Sequence, residues 1–279
     1  MIIWLASYPK SGNTFLRSLL ASYFYSKDGT FEFEMLKNIQ QFPINEIFDK
    51  IGVDINDKYL VAKNYIKSQE EINKSKKLSF LKTHSSFCKM YNKFNFSDLK
   101  NSLGVIYIVR DPRNVVTSFA HHNSKSIENT FELLTNDLTI GNEKNETEVY
   151  LGSWNFNYNS WKIYKNSEKY LLVKYEDLVK NTKNVFIKIL KFINELSQNG
   201  KSIDEKKIEK VINQTNFSRM KNLEDEHGFE EAKVNHNTGQ IVKFFNLGPK
   251  NDWKKTLDHN IKKKIENKFQ KEMEEIGYL

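Results

Sequence analysis

Three short segments place reactive residue types at the ends of apolar runs. The first is Trp4-Leu5-Ala6-Ser7-Tyr8-Pro9-Lys10-Ser11-Gly12-Asn13-Thr14-Phe15-Leu16-Arg17. Its apolar start reads as a strand ending at Ser7, followed by a Pro-Lys-Ser-Gly turn. Thr14 then opens an amphipathic helix carrying Phe15, Leu16, Leu19 and Leu20. Such a loop aims successive backbone N–H groups at one point, and the helix N-terminus adds partial positive charge, which together make an anion site. Gly12 permits close backbone approach. Lys10 supplies a full charge, and Ser11, Asn13 and Thr14 supply side-chain donors. The alternative is an ordinary strand-to-helix turn with a capped helix. The segment is not the G-x-x-x-x-G-K-[ST] loop of nucleoside triphosphatases.

The second segment, Ile106-Tyr107-Ile108-Val109-Arg110-Asp111-Pro112-Arg113-Asn114-Val115-Val116-Thr117-Ser118, again runs from strand through a charged turn into a helix. Pro112 suits the first helical turn. Arg110 and Ser118 could grip one phosphate, since Arg is the residue for bidentate phosphate contact. An Arg–Asp pair at a helix start is the other reading. The third segment is Phe80-Leu81-Lys82-Thr83-His84-Ser85. A strand puts Lys82 and His84 on one side. A His beside a Lys fits a general base kept unprotonated by its neighbour; taken alone, the triplet reads more simply as a loop His beside a solvated Lys. His121, His122, His227, His236 and His259 show no metal-ligand spacing, and no metal is expected.

These segments need strands to carry them. Ile2–Ser7, Val105–Val109 and Tyr170–Val173 read as buried strands, with Leu78–Leu81 as a weaker fourth. Helical patterns cover Thr14–Phe24, Asn114–His122, Tyr150–Tyr164, Val179–Leu196, Asp204–Gln214 and Asn260–Ile276. Continuous apolar strands suit a parallel sheet covered on both faces. The expected fold is α/β: one domain over residues 1–279, a doubly wound, mostly parallel sheet flanked by helices, P-loop-like at its start. Ligands in such sheets bind beyond the carboxyl ends of the strands, where all three segments fall. The polar stretch Asn222–Asn237 reads as a mobile loop and candidate lid.

The chain of 279 residues carries a net charge of +8, but only four of its 43 basic residues are Arg. Two of those four lie in the second segment. The positive balance suits a polyanionic small ligand. Aromatic residues do not interleave with basic ones as in RNA-binding signatures, so no nucleic-acid partner is expected. The single cysteine, Cys88, precludes an internal disulfide framework. No apolar run approaches the roughly 18 residues of a membrane span, and a cytoplasmic protein without a membrane partner is expected.

Together the segments resemble the sulfotransferase family that uses 3'-phosphoadenosine 5'-phosphosulfate. Tyr8-Pro9-Lys10-Ser11-Gly12-Asn13-Thr14-Phe15 is similar to its 5'-phosphosulfate loop, Lys82-Thr83-His84 to the segment of its catalytic His, and Arg110 to Ser118 to its 3'-phosphate segment. Tyr175-Glu176-Asp177-Leu178 and Thr215-Asn216-Phe217-Ser218-Arg219-Met220 are similar to its adenine-binding segments. Phe245-Asn246-Leu247-Gly248-Pro249-Lys250-Asn251-Asp252-Trp253-Lys254 is similar to its late phosphate loop. The resemblance implies that 3'-phosphoadenosine 5'-phosphosulfate is the co-substrate. Lys10 would contact the bridging oxygen, and Ser11, Gly12, Asn13 and Thr14 the 5'-phosphate. Arg110 and Ser118 would bind the 3'-phosphate. Phe15, Tyr175, Thr215 and Phe217 would frame the adenine, and Phe245, Asn246, Leu247 and Gly248 would form the late loop. His84 would be the base and Lys82 would polarise the sulfuryl oxygens. This chain departs from the pattern in having Asn13 where many relatives have Thr, Asn246-Leu247 for Arg-Lys, and Asn251 for Gly. Asp258, His259 and Lys263 fall where the cytosolic branch has its dimer motif, so that mode of homodimer is not matched.

The implied activity is in-line sulfuryl transfer to a hydroxyl or amine of a small-molecule acceptor. Phe42, Phe87, Phe119, His121, Tyr150 and Trp154 are the candidate acceptor pocket. The competing expectations are a P-loop-like nucleotide kinase and a non-catalytic nucleotide-binding module on the same fold.

Overall fold

The computed structural model describes residues 1–136, 139–140, 148–198, 200, 202–235 and 238–279. His236 and the end of the 222–237 stretch lie outside the described residues. Four parallel strands form the central sheet: β1 (Ile2–Ala6), β2 (Ser79–Thr83), β3 (Ser102–Val109) and β4 (Tyr170–Lys174). Their spatial order is β2-β1-β3-β4. The chain steps from β1 to β2 on one side and then returns to β3 on the other. The crevice between the β1 and β3 ends is therefore the switch point at which such sheets bind ligands.

All five residues of β1 are buried, because both faces of the sheet are covered. Trp4 and Ala6 point into one core, with Val105, Tyr107, Trp154, Trp161 and Phe269. Ile3 and Leu5 point into the other, with Leu16, Leu20, Ile106, Phe186 and Val211. This is the two-residue period of a strand read against two apolar layers. The second core is covered by α1 (Asn13–Tyr25), α3 (Thr182–Ser197), α4 (Glu205–Thr215) and α5 (Phe217–His227). The first is covered by α2 (Pro112–Asn123), the helix Trp154–Ser160 and α6 (His259–Ile276).

The strand expectations hold to within a few residues, and the doubly wound sheet is as expected. Two helix expectations and one loop expectation are corrected. Tyr150–Tyr164 is not one helix. Val149–Tyr150 pairs as a strand, Ser153 caps Trp154–Ser160, and a tighter 3-10 turn carries Trp161–Ser167. Val179–Leu196 is interrupted at Asn181, between Tyr175–Lys180 and α3. The loop expected over 222–237 begins only after His227, because α5 buries Leu223 and Glu224. Gly228, with φ 73°, ends that helix. Among the described residues no helix is long and apolar enough to cross a membrane.

Candidate active site

A cleft of about 1330 Å³ opens at the carboxyl ends of the strands. The loop after β1 forms its floor. Lys10 and Gly12 both take positive φ, at 62° and 98°. A side chain on Gly12 is excluded twice over: its Cβ would lie 2.3 Å from the Tyr175 ring, and the left-handed backbone favours glycine. The turn thereby brings the chain back to start α1 at Asn13.

His84 follows β2, and its Nδ1 lies 2.8 Å from the main-chain oxygen of Ser7. A carbonyl can only accept, so Nδ1 carries the proton and Nε2 holds the free lone pair. Its backbone is also fixed. Asn157 Nδ2 donates to His84 O at 2.8 Å, and Tyr107 Oη donates to Asn157 Oδ1 at 2.8 Å. Burial first, and then the charge of Lys82, push the His84 imidazole down to about 3. It is neutral across the physiological range.

Lys10 extends over the Phe244 ring, 3.6 Å from its centre. Burial brings its ammonium down to about 7; Glu231 opposes that shift, while Lys82, Arg110 and Lys233 add to it. Lys82 is buried at 6% exposure, and burial lowers its pKa against the pull of Glu231. Glu231 itself lies 2.9 Å from Lys82 Nζ and 2.5 Å from Arg17 Nη1. Burial opposes its charge, yet Lys82 and Arg17 hold its carboxyl well below the usual carboxylate range.

Arg110 stands where β3 ends. Its Nη1 donates to Lys10 O at 3.0 Å, its Nη2 to Gly248 O at 3.4 Å, and its guanidinium stacks 4.4 Å from the centre of the Tyr175 ring. Its Nε has no hydrogen-bond partner, and neither does the buried Ser11 Oγ. Arg110, on a wall that also carries Lys10, fits a polyanion, whereas the expected phosphate contact Ser11 is 1% exposed and does not line the cleft. Arg113 does not reach the cleft. It is held by Asp111, Glu266 and the Tyr278 carbonyl, and it stacks on Trp253.

The cleft brings together Lys10, Gly12, Asn13, Thr14, Phe15, Lys82, His84, Arg110, Ser118, Phe119, His121, Tyr175, Thr215, Phe217, Phe245, Asn246, Leu247 and Gly248. Two of these differ from expectation in detail. The Asn13 amide turns inward, donating to Leu5 O at 2.9 Å and Ser7 Oγ at 3.1 Å, so the side chain braces the loop. The Thr215 hydroxyl donates back to Val211 O at 2.8 Å. In the late loop Asn246 and Leu247 are exposed, and Gly248 takes φ 52° with the Phe217 ring where a Cβ would stand. Asn251 fastens this loop to α2: its Nδ2 donates to Asn114 O at 2.9 Å and to Thr117 Oγ1 at 3.0 Å.

Of the expected acceptor-pocket residues, Phe119 and His121 line the cleft and four do not. Phe42 and Trp154 are core residues, packed on Trp4 and Phe269 respectively. Phe87 packs on Trp161 and Tyr164, and Tyr150 on Phe156. None of the four lines the cleft; Pro43, Ile44, Leu133 and Val149 do. Large aromatics find more contact area between layers than at a cleft wall. Sequence reasoning also missed Arg17, Glu231, Asn157 and His122. The last lines the cleft, with burial and then Lys10 pushing its imidazole down to about 2.

A family model described as the sulfotransferase domain matches residues 2–277. Rabbit amine sulfotransferase is 24% identical over 188 residues, covering 63% of this chain and 56% of that protein. A 3-beta-hydroxysteroid sulfotransferase of guinea pig is 30% identical over 151 residues, 54% of this chain and 49% of that one. In these two matches the chain spans about half the length of its relative. Mouse sulfotransferase 1 family member D1 is 24% identical over 98% of this chain and 83% of its own length. Among solved structures, a mouse sulfotransferase complexed with PAP superposes with a TM-score of 0.59 at 20% identity, covering 98% of this chain and 84% of that one. A retinol dehydratase in complex with androsterone and inactive cofactor PAP gives 0.61 at 18%, covering 98% and 80%. At these identities the superpositions establish the fold.

Proposed function

The chain belongs to the sulfotransferase domain family, and on that premise we propose that residues 1–279 act as one domain that moves a sulfuryl group from 3'-phosphoadenosine 5'-phosphosulfate to a hydroxyl or amine of a small acceptor. The observation that carries this reading is the convergence of Lys10, Lys82, Arg110 and a tautomerically fixed His84 on one cleft. The solved relatives bound to PAP support the choice of nucleotide.

Each residue then has a physical task. The N–H groups that open α1 and the Thr14 hydroxyl hold the 5'-phosphate, and the Asn13 side chain braces the loop that presents them. Arg110 and Ser118 bind the 3'-phosphate. Phe15, Tyr175 and Phe217 bound the adenine with aromatic faces. Lys10 neutralises charge as it develops on the leaving phosphate oxygen, and Lys82 polarises the sulfuryl oxygens. Nε2 of His84 accepts the proton of the acceptor. The free imidazole is a weak base at about 3, and an anionic donor beside it raises that value by favouring the charged form. The acceptor enters along Phe119, Ile44, Leu133 and Val149.

Thermal unfolding with adenosine 3',5'-bisphosphate, against AMP and magnesium–ATP, tests the nucleotide. At about 100 times its dissociation constant the bisphosphate adds about 2.7 kcal/mol of stability. An equal response to magnesium–ATP would point to a phosphotransferase instead. Turnover with labelled donor and a panel of alcohols, phenols and amines tests the transfer.

A further inference from the structure

Glu231 is a half-buried charge, its side chain 27% exposed, that the transfer chemistry does not use. It comes from the loop after α5, and its carboxylate sits among three donors at the anion end of the cleft. Thr14 Oγ1 donates to it at 3.1 Å, Lys82 Nζ at 2.9 Å and Arg17 Nη1 at 2.5 Å. Arg17 follows Thr14 by three residues on α1, so both side chains share one helix face. The guanidinium is fixed from behind: Nη2 donates to Leu36 O at 3.3 Å and Ile39 O at 3.0 Å. Its side chain is only 7% exposed, and its Nε has no partner.

Buried cations of this kind are stable only beside an anion. Carboxylate, phosphate and sulfuryl oxygens make the same request of a guanidinium, an ammonium and a hydroxyl. The Thr14 hydroxyl has one proton, so it cannot serve Glu231 and a phosphate oxygen together. The two occupants therefore compete for the Thr14 hydroxyl.

We propose that Arg17 is a further binding residue for the phosphosulfate end of the donor, and that Glu231 holds that place until the donor displaces it. This rests on reading the cleft as the donor site. The exchange is non-covalent: one carboxylate leaves, and the donor's oxygens take over its three hydrogen bonds.

The test is equilibrium titration of wild type, Glu231→Gln, and Glu231→Gln combined with Arg17→Lys, using inorganic sulfate and adenosine 3',5'-bisphosphate in separate arms. A site that is mostly occupied from within shows an affinity reduced by its open fraction, so Glu231→Gln should tighten both anions about tenfold. Adding Arg17→Lys should return the affinity toward wild type. Unchanged or weaker binding of both anions by Glu231→Gln overturns the proposal. A gain that survives Arg17→Lys overturns the assignment of Arg17. Should Glu231→Gln fail to fold with two uncompensated cations, Glu231→Asp keeps the charge on a shorter arm. It must then show a smaller gain of the same sign, and no gain overturns the proposal. If sulfate binding tightens in Glu231→Gln while neither protein binds the bisphosphate, the anion exchange stands and the nucleotide reading fails.

Discussion

The Nδ1 atom of His84 and the main-chain oxygen of Ser7 are 2.8 Å apart, and they join the ends of two neighbouring strands. The contact fixes the tautomer of the imidazole without a carboxylate partner. It also ties the proposed base to the loop that begins the anion site. For His84→Ala the expectation is a fall in turnover of at least ~10²-fold, with bisphosphate affinity retained. Steady-state rates beside a calorimetric titration decide it. Near-normal turnover would remove His84 from its role.

Asn157 holds the backbone of His84. Its amide spans His84 O and Tyr107 Oη, and it is wholly buried. Asn157→Ala removes hydrogen bonds to His84 O, Leu151 O and Tyr107 Oη, at a cost of about 1–3 kcal/mol for each group left unsatisfied before any relaxation. Chemical denaturation should register the loss. Turnover in the folded fraction should also fall, whereas a purely structural role would leave it unchanged.

Arg110→Ala should weaken bisphosphate binding by roughly 1.5–3 kcal/mol, the range for hydrogen bonds to charged groups. Arg113→Ala should leave that affinity nearly intact and lower the melting temperature, because Arg113 joins Asp111, Glu266 and Tyr278. Equal effects of the two variants on affinity would show that the two arginines are not divided between ligand and scaffold.

The pH dependence of binding should follow Lys10. Its pKa in the free protein is pushed down to about 7, and a bound anion raises it. Above pH 7 binding must therefore take up a proton, so affinity falls as pH rises through that range. Lys10→Arg stays charged and should abolish the alkaline fall. His84 adds a separate effect on stability. Its folded pKa of about 3 lies below the unfolded value of about 6.5. The unfolded chain binds the extra proton between those values, so stability falls as pH drops from 6.5 toward 3. Melting curves of wild type and His84→Gln measure the difference.

Gly12→Ala should cost about 1–3 kcal/mol from the left-handed backbone alone. The contact of its Cβ with Tyr175, at 2.3 Å, adds to that. Loss of bisphosphate binding should accompany the lower melting temperature.

The strand ends were legible because each chemical segment follows a continuous apolar run, and a buried parallel strand leaves that signature. Arg110 was legible because Arg is scarce here. Glu231 was not, since a carboxylate in a polar loop looks solvated until its partners, 149 and 214 residues away, are in place. Arg17 had a signal, a rare Arg three positions after Thr14, but an amphipathic helix offers a solvent-facing alternative. Four of the six residues expected to line an acceptor pocket lie outside the cleft, because residue type was used where only position decides. Phe42 is swallowed by the core, while its neighbours Pro43 and Ile44 reach the cleft.

Arg110 holds the carbonyls of Lys10 and Gly248 with the two arms of one guanidinium. Three stretches of chain that are distant in sequence thus meet at a single side chain. The proposed nucleotide site therefore depends on contacts made across 100 and 138 residues of chain, and it can form only once those distant segments have packed together.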